Sequence, residues 1–277
     1  MTFSINSYKN SSYAVAQAVS DNILGPYTKL TVADGGVLLS SEKQGSQTSS
    51  GTGHHSFLNV GDHTYIIYHR HDDPATAGAP RNPAIDEVKW ITVNGREVMY
   101  VNGPNTTLQP KLDEYSTYHN IAGEAIVSAD NGSTNLQYLN DGLLSHLKNG
   151  PSTINNIAGE TKISSTSTFT FDFDRARTVT SIMVYNSRQE SQIFRQIKQI
   201  KLVCVENGET VIKYINNIPF NAEYYQTNSS GKVTYVEPCS AAYAVFGELQ
   251  VLSVEITVDI PAGQNYVGIS EIRILGK

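Results

Sequence analysis

The sequence predicts an all-β protein on three observations. Short runs rich in β-branched and aromatic residues recur along the chain, interrupted by Gly, Asn and Pro about every ten residues. The segment TFTFDFD at 168–174 alternates phenylalanine with polar residues, the period of a strand with one buried face. A helical spacing of leucines stands out only in the segment 135–149, where an Asn-Asp-Gly centre favours a compact loop with one helical turn.

The composition is that of a folded, acidic protein. The 277 residues allow one large domain or two, and 39% hydrophobic residues are enough for a core. The net charge of −6 argues against binding to nucleic-acid phosphates. No apolar run reaches the ~18 residues of a membrane span, which predicts a soluble chain without a membrane partner. Met1 leads directly into a strand-like segment, so we expect no signal peptide.

The first half of the chain reads as consecutive strands. Asn94-Gly95, inside VNGREVMYVNG at 93–103, predicts a tight hairpin because both residues readily adopt positive φ angles. The expected strands are YAVAQAV (13–19), HSFLNV (55–60), TYIIYHR (64–70) and VKWITV (88–93).

The second half continues the rhythm after a polar stretch at 105–120, which is typical of a linker. Cys204 and Cys239 lie outside any metal-binding spacing; we expect two buried thiols, with a disulfide between them as the alternative. The expected strands include TFTFDFD (168–174), TVTSIMVYN (178–186), IKLVCVEN (200–207), VIKYI (211–215), VLSVEITVDI (251–260) and SEIRILG (270–276).

Five of the seven histidines lie within residues 50–73. His69 and His71 are two apart and share a strand face, and His54 lies on the neighbouring segment. Imidazole is a common ligand for transition metals, although strand spacing alone does not assemble the three or four ligands of a zinc site. Structural histidines are the default interpretation, with a transition-metal site as the alternative.

A resemblance to a known family rests on these segments. GTGHHS (51–56), YIIYHRH (65–71) and RNPAID (81–86) together resemble the last blade of the five-bladed propeller of glycoside hydrolase family 43. SYAVAQAVSDNILGPYTK (12–29) is similar to the blade before it. The resemblance covers residues 1–112 and implies the last two to three blades of a propeller that acts on arabinan, xylan or related plant polysaccharides.

The resemblance assigns roles to two residues of the first region. His54 matches the channel histidine that helps to hold a cation, usually calcium, through its water shell. Arg81 matches a basic residue near the substrate pocket, with an exposed surface charge as its alternative.

The catalytic carboxylates of that family come from its earlier blades, which have no counterpart here. Inverting hydrolysis needs an acid and a base on opposite sides of the glycosidic bond. We expect Asp72 and Asp73 to be loop residues and Asp86 to be a structural acid. The chain alone is therefore expected to lack glycosidase activity.

Residues 113–277 resemble a discoidin-like or galactose-binding-like β-sandwich (jelly roll), a fold common among carbohydrate-binding modules. The resemblance rests on HNIAGEAIVSADNG (119–132), the Asp-Gly turn at 141–142, TFTFDFDRARTVTSIMVYN (168–186) and VGISEIRILGK (267–277). It implies a structural calcium at Asp141, with Ser145 nearby, and Glu271, since calcium prefers such oxygen ligands. Sodium or water are alternatives, as is a plain turn cap at Asp141.

Sugar binding in such modules uses aromatic rings and polar side chains on the loops at one end. The candidate sugar-binding aromatic residues are Tyr224, Tyr225 and Phe246, which lie in turn-rich segments. The alternative is that these side chains are ordinary packing residues of the fold. Arg188 and Arg195 are the candidate polar contacts. The only tryptophan, Trp90, falls in the first region, so the second has no tryptophan platform.

The leading functional hypothesis is the C-terminal portion of a polysaccharide-degrading glycosidase with an appended carbohydrate-binding module. Its parent enzyme would be extracellular or periplasmic, and the bare Met1 suggests that its front end is missing. The alternatives are a non-catalytic carbohydrate-binding protein and one half of a split enzyme. Open strand edges favour self-association or pairing with a second chain that supplies the missing blades.

Overall fold

The computed structural model describes residues 1–44, 47–71, 79–144, 158–220, 223–228 and 231–277. For positions 43, 44, 47, 223–228 and 231–235 it describes the backbone alone. The chain forms two compact units, one spanning Met1–Thr106 and the other containing residues 107–144 and 159–277. No helix in the described part is long and apolar enough to cross a membrane.

The first unit consists of two antiparallel sheets. One has the strand order β1-β2-β3 with β4 also paired to β2, and the other has the sequential order β5-β6-β7-β8-β9. Its strands are β1 (Thr2–Ile5), β2 (Ala14–Val19), β3 (Thr28–Lys29), β4 (Val37–Leu39), β5 (Glu42–Gln44), β6 (Gln47–Val60), β7 (His63–His71), β8 (Asn82–Val93) and β9 (Arg96–Val101). A single 3₁₀ turn, Val32–Asp34, precedes β4.

The hairpin between β8 and β9 confirms the prediction from Asn94-Gly95. Val93 pairs with Arg96, and the two turn residues have φ angles of 51° and 77°. Positive φ at both positions is the requirement of a type I′ turn, which Asn and Gly meet with little strain.

A glutamine side chain joins β9 to the neighbouring sheet. The Gln17 amide nitrogen on β2 donates to the carbonyls of Gly35 (2.7 Å) and Met99 (2.9 Å), and its oxygen accepts from the Met99 N–H (3.1 Å). Gln17 is 4% exposed, so this amide satisfies backbone groups of an edge strand that water does not reach.

The second unit is built around one eight-stranded antiparallel sheet. Its central order is β10-β19-β13-β18-β14-β15, with β11 paired to β13 and β12 paired to β19, and β16 and β17 form a separate hairpin. The elements are α1 (Leu112–Tyr115), β10 (His119–Asn120), β11 (Ile126–Ala129), β12 (Thr161–Ile163), β13 (Ser167–Asn186), β14 (Gln196–Glu206), β15 (Glu209–Pro219), β16 (Glu223–Asn228), β17 (Gly231–Val236), β18 (Ala241–Val258) and β19 (Val267–Gly276).

Strand β13 confirms the alternation predicted for 168–174. Phe169, Phe171 and Phe173 are buried in the core, whereas the intervening Asp172 is exposed. The pairing of β13 with β18 shifts register between Asp172 and Arg177, and beyond this irregularity β13 pairs with β19. The two halves of β13 therefore belong to the two layers of a β-sandwich, and both contribute to one core.

The helical turn predicted within 135–149 is confirmed as a 3₁₀ turn at Leu136–Leu139. The remaining 3₁₀ turns of the described chain are Ala122–Glu124 and Glu190–Gln192. Cys204 and Cys239 are both buried thiols with no disulfide between them, as the default interpretation expects.

The prediction of a linker over 105–120 is wrong for its second half. Tyr115 on α1 is only 3% exposed, and its hydroxyl accepts a 3.0 Å hydrogen bond from Nη1 of the buried Arg273. The Arg273 guanidinium also lies 5.3 Å from the Tyr185 ring centroid. These contacts hold the segment against the sandwich, and nothing in its polar local pattern indicates them.

Candidate functional site

The histidines of the first unit form a ring cluster. The ring centroids of His69 and His71 on β7 are 5.8 Å apart, and those of His54 and His69 are 6.3 Å apart. Tyr13 stacks on His69 at 5.7 Å. Within the described ranges, no group of three or more His, Cys, Asp or Glu side chains is arranged to hold a metal ion.

Arg81 lies beside this cluster. Burial, the charge of Arg81 and the neighbouring His71 and His54 lower the pKa of His69 to about 4, so its imidazole is neutral at physiological pH. Arg81 itself is exposed, and its guanidinium lies 5.8 Å from the Tyr8 ring centroid.

Two buried carboxylates of the first unit, Asp86 and Glu87, are engaged within the fold. Asp86 is fully buried and accepts a 2.6 Å hydrogen bond from the Tyr68 hydroxyl. Glu87 is 1% exposed and pairs with His63 (2.9 Å) and Lys89 (2.7 Å). Asp72 and Asp73 lie outside the described residues.

The sandwich brings Asp141 and Glu271 together, although 130 positions separate them in sequence. The backbone N–H of Gly142 donates to the Glu271 carboxylate at 3.2 Å, and the Asn120 amide donates to its other oxygen at 3.4 Å. Asp141 accepts from the Leu143 N–H at 2.9 Å. Ser145, the third residue expected at this site, lies outside the described residues.

The Asp141 carboxyl group faces an unfavourable environment for a charge. Burial raises its pKa from 3.8 to about 7, against the opposing effect of hydrogen bonds from Leu143 and with Glu271. Because the Asp141 residue as a whole is exposed, solvent moderates this rise. Two adjacent carboxyl groups in this position need a proton or a cation between them.

The candidate sugar-binding aromatic residues lie on strands rather than loops. Phe246 is within β18 and packs, partly buried, against the core, so its predicted loop position is wrong. Tyr224 and Tyr225 are within β16, where the backbone alone is described. Turn-forming residues around a segment do not show whether the segment is a loop or a strand. Strand formation depends on pairing with another strand that can lie far away in the sequence.

Two loops meet at one end of the sandwich and, together with residues 160–162, carry a polar cluster, here called the loop-end cluster. They are the loop from β13 to β14 (187–195) and the loop from β18 to β19 (259–266). The cluster consists of Glu160, Lys162, Arg188, Gln189, Gln192, Gln264 and Tyr266.

Glu160 anchors the first of these loops. Its carboxylate accepts from the Arg188 N–H and the Ser187 hydroxyl, both at 2.8 Å. A Cβ at Gly268 would lie 2.5 Å from the Glu160 carboxylate, so a larger residue there would displace this carboxylate from its present position.

Tyr266 supplies an aromatic ring to the same cluster. It is 39% exposed, and the Lys162 ammonium lies 5.1 Å from its ring centroid. The Gln192 amide donates to the Tyr266 hydroxyl at 3.4 Å and to the Gln189 side-chain oxygen. Among the described residues, the amide oxygens of Gln192 and Gln264 are buried and have no hydrogen-bond partner.

A cavity of about 350 Å³ opens between the same two loops. Arg195 contributes to it from the first loop, and Lys198 pairs there with Asp259 at 3.1 Å. The structure thus places the candidates Arg188 and Arg195 on one loop. Glu160, Gln192 and Tyr266 are not among the residues predicted from the sequence, because they lie far apart in the chain and carry no motif.

Comparisons with known proteins found similarity only among solved structures. No protein-family model matches the chain, and no curated protein sequence matches it. A Streptococcus pneumoniae fucose-binding module is similar at a TM-score of 0.36 and 14% identity, over 58% of this chain and 96% of that one. A Bacteroides fragilis F5/8 type C domain is similar at 0.34 and 14%, over 58% and 95%. The family 32 carbohydrate-binding module of Clostridium perfringens NanJ, in complex with galactose, is similar at 0.29 and 14%, over 56% and 95%.

The raised pKa of Asp141 predicts a pH-dependent stability in metal-free buffer. The folded chain favours the protonated carboxyl, whereas the unfolded chain ionises near 3.8, so the free energy of unfolding falls as pH rises from there to about 7. Urea denaturation with a chelator at several pH values measures this slope. Asp141→Asn removes it, and Asp172→Asn, at an exposed position of β13, retains it. Equal slopes in all three proteins contradict the assignment.

Proposed function

We propose that the second unit binds carbohydrate through the loop-end cluster. The observation that carries this proposal is the exposed ring of Tyr266 at one end of the sandwich, with the Gln192 amide at its hydroxyl and the Lys162 ammonium near its ring. An aromatic face packs against the C–H groups of a sugar, and planar polar side chains discriminate its hydroxyls.

The anchoring of the cluster supports binding without extensive rearrangement. Glu160 holds the backbone at Arg188, and Gln192 links this loop to Tyr266 on the other loop. Preorganised groups lose less conformational entropy when a ligand binds.

We also propose that Asp141 and Glu271 hold a calcium ion that stabilises the second unit. Glu271 is completely buried and lies beside a second carboxyl group. A hard dication matches this oxygen donor set and neutralises both charges.

For the first unit, we propose a role as the blade region of a polysaccharide-degrading enzyme of arabinan or xylan type. Its strands β5 to β9 follow one another in a five-stranded antiparallel meander, and the last four of them have the strand order of a propeller blade. In this proposal the catalytic carboxylates come from a separate region or a second chain, and the parent enzyme acts outside the cytoplasm. The rival proposal is a purely sugar-binding protein.

Replacing Tyr266 tests the sugar-binding proposal. We expect Tyr266→Ala to weaken galactose or fucose binding by about tenfold, since the stacking surface is lost, and Tyr266→Phe to retain most of it. Isothermal titration calorimetry on the full chain measures both. Tyr214→Ala, which removes a 54% exposed ring on β15, is the matched control. Unchanged affinity in Tyr266→Ala would overturn the assignment of the site.

Calcium titration tests the ion site. At a calcium concentration about 100 times the dissociation constant, we expect stabilisation by about 2.7 kcal/mol, seen as a higher melting temperature. Asp141→Asn is expected to reduce this effect, while Asp172→Asn leaves it intact. The absence of both binding heat and thermal stabilisation in the unaltered chain contradicts a calcium site.

We expect no glycoside hydrolysis by the chain alone. Aryl arabinosides and aryl xylosides report turnover directly through the released phenol. We expect no release above the buffer rate, because Asp86 and Glu87 are engaged inside the fold. Turnover that copurifies with the chain and is lost in Asp86→Asn contradicts this expectation.

A further inference from the structure

The only tryptophan of the chain is exposed on the first unit. Trp90 is 56% exposed on β8, where it pairs with Met99 of β9. Tryptophan is usually largely buried, and an exposed indole beside other exposed apolar groups marks a contact surface. Tyr27 (39% exposed) and Ile23 (87% exposed) accompany it.

These residues line a groove of about 320 Å³ between β9 and the loop that follows β2. A second cavity of about 270 Å³ adjoins it and shares Val19, Ser20, Asp21, Asn22 and Arg96. The volume is at the lower end of the range for small-ligand sites. We call this concavity the Trp90 groove; its lining comprises Met1, Gln17, Ala18, Val19, Ser20, Asp21, Asn22, Ile23, Tyr27, Trp90, Arg96, Glu97 and Met99.

The loop on one side of the Trp90 groove is held by its own hydrogen bonds. The Tyr27 hydroxyl donates to the Ile23 carbonyl at 2.7 Å, which sets the orientation of the ring. The Leu24 N–H donates to the Asn22 side chain at 2.9 Å, and the Asn22 N–H donates to the Ser20 hydroxyl at 3.1 Å. The wall therefore forms without a ligand, which lowers the entropic cost of binding.

The polar groups of the groove carry charges of both signs. Arg96 offers a planar set of donors, whereas Asp21 and Glu97 are acceptors. Because charges of both signs leave this groove no positive excess, it does not attract a polyanion such as a nucleic acid, an anionic lipid surface or a sulfated chain. Flat aromatic faces next to mixed donors and acceptors suit a neutral molecule with many hydroxyl groups.

We propose that the Trp90 groove is a second saccharide-binding site, in which a neutral oligosaccharide stacks on Trp90 and Tyr27. Arg96, Asp21 and Glu97 bind its hydroxyls. This site lies on the first unit and shares no residue with the loop-end cluster, so it does not depend on sugar binding by the second unit.

Because Trp90 is the only tryptophan, emission excited selectively at the red edge of the absorption band, where the 16 tyrosines do not absorb, reports on this groove alone. The full chain carrying Tyr266→Ala, which disables the loop-end cluster, is titrated with xylotriose, arabinotriose, galactotriose and, as a charged probe, trigalacturonic acid. We expect a saturable change in emission and protection from acrylamide quenching with at least one neutral trisaccharide, and a weaker response to the charged one.

A sugar that binds elsewhere also changes the emission if it alters the surroundings of the indole. Calorimetry on Trp90 variants tests whether the sugar stacks on Trp90 itself. Trp90→Ala is expected to weaken binding about tenfold and Trp90→Phe by less, since a smaller ring retains part of the stacking face. Tyr214→Ala, on the second unit, is the control and is expected to match the parent. Circular dichroism verifies that each variant is folded.

Two results overturn the proposal. One is tryptophan emission that stays unchanged with every neutral trisaccharide up to about 10 mM. A dissociation constant of this size corresponds to a binding free energy of roughly −3 kcal/mol. The other is equal affinity in Trp90→Ala and its parent. Either leaves the loop-end proposal standing, because that proposal is judged on Tyr266 variants in which Trp90 is intact.

Discussion

Strand β13 is the element on which the second unit depends. It pairs with β11 and β18 along its first half and with β18 and β19 along its second half. In the second half both faces are buried: Ile182 and Val184 join the main core, and Met183 and Tyr185 pack with Leu144. Because water reaches neither face of this half of β13, its backbone N–H and C=O groups form hydrogen bonds only with the neighbouring strands. Strands on both sides must therefore be in place.

The candidate sites of this unit follow from that arrangement. The loop 187–195 begins where β13 ends, and β19 carries Glu271 to the Asp-Gly turn. A rigid scaffold with variable loops is the usual way in which binding groups are positioned. Gly268, near the start of β19, packs closely against Glu160, which holds the loop 187–195. The position of the strand and the position of the loop are therefore linked.

The first unit uses its polar side chains differently. Gln17 completes the hydrogen bonds of an edge strand, and Asp86 and Glu87 are engaged with Tyr68, His63 and Lys89. These groups stabilise the fold and are unavailable as a catalytic pair. At Trp90 the same unit presents an exposed aromatic and mixed-charge surface.

The sequence by itself determined the elements whose cause is local. The period-two pattern of Phe169, Phe171 and Phe173 defined a half-buried strand, and Asn94-Gly95 defined a hairpin, because pleat geometry and turn dihedral angles depend on neighbouring residues. Only the tertiary structure decided that Phe246 lies within a strand and that Tyr266, Gln192 and Glu160 meet. These outcomes depend on which distant strands pair, and such pairing is set by burial across the whole core rather than by local pattern.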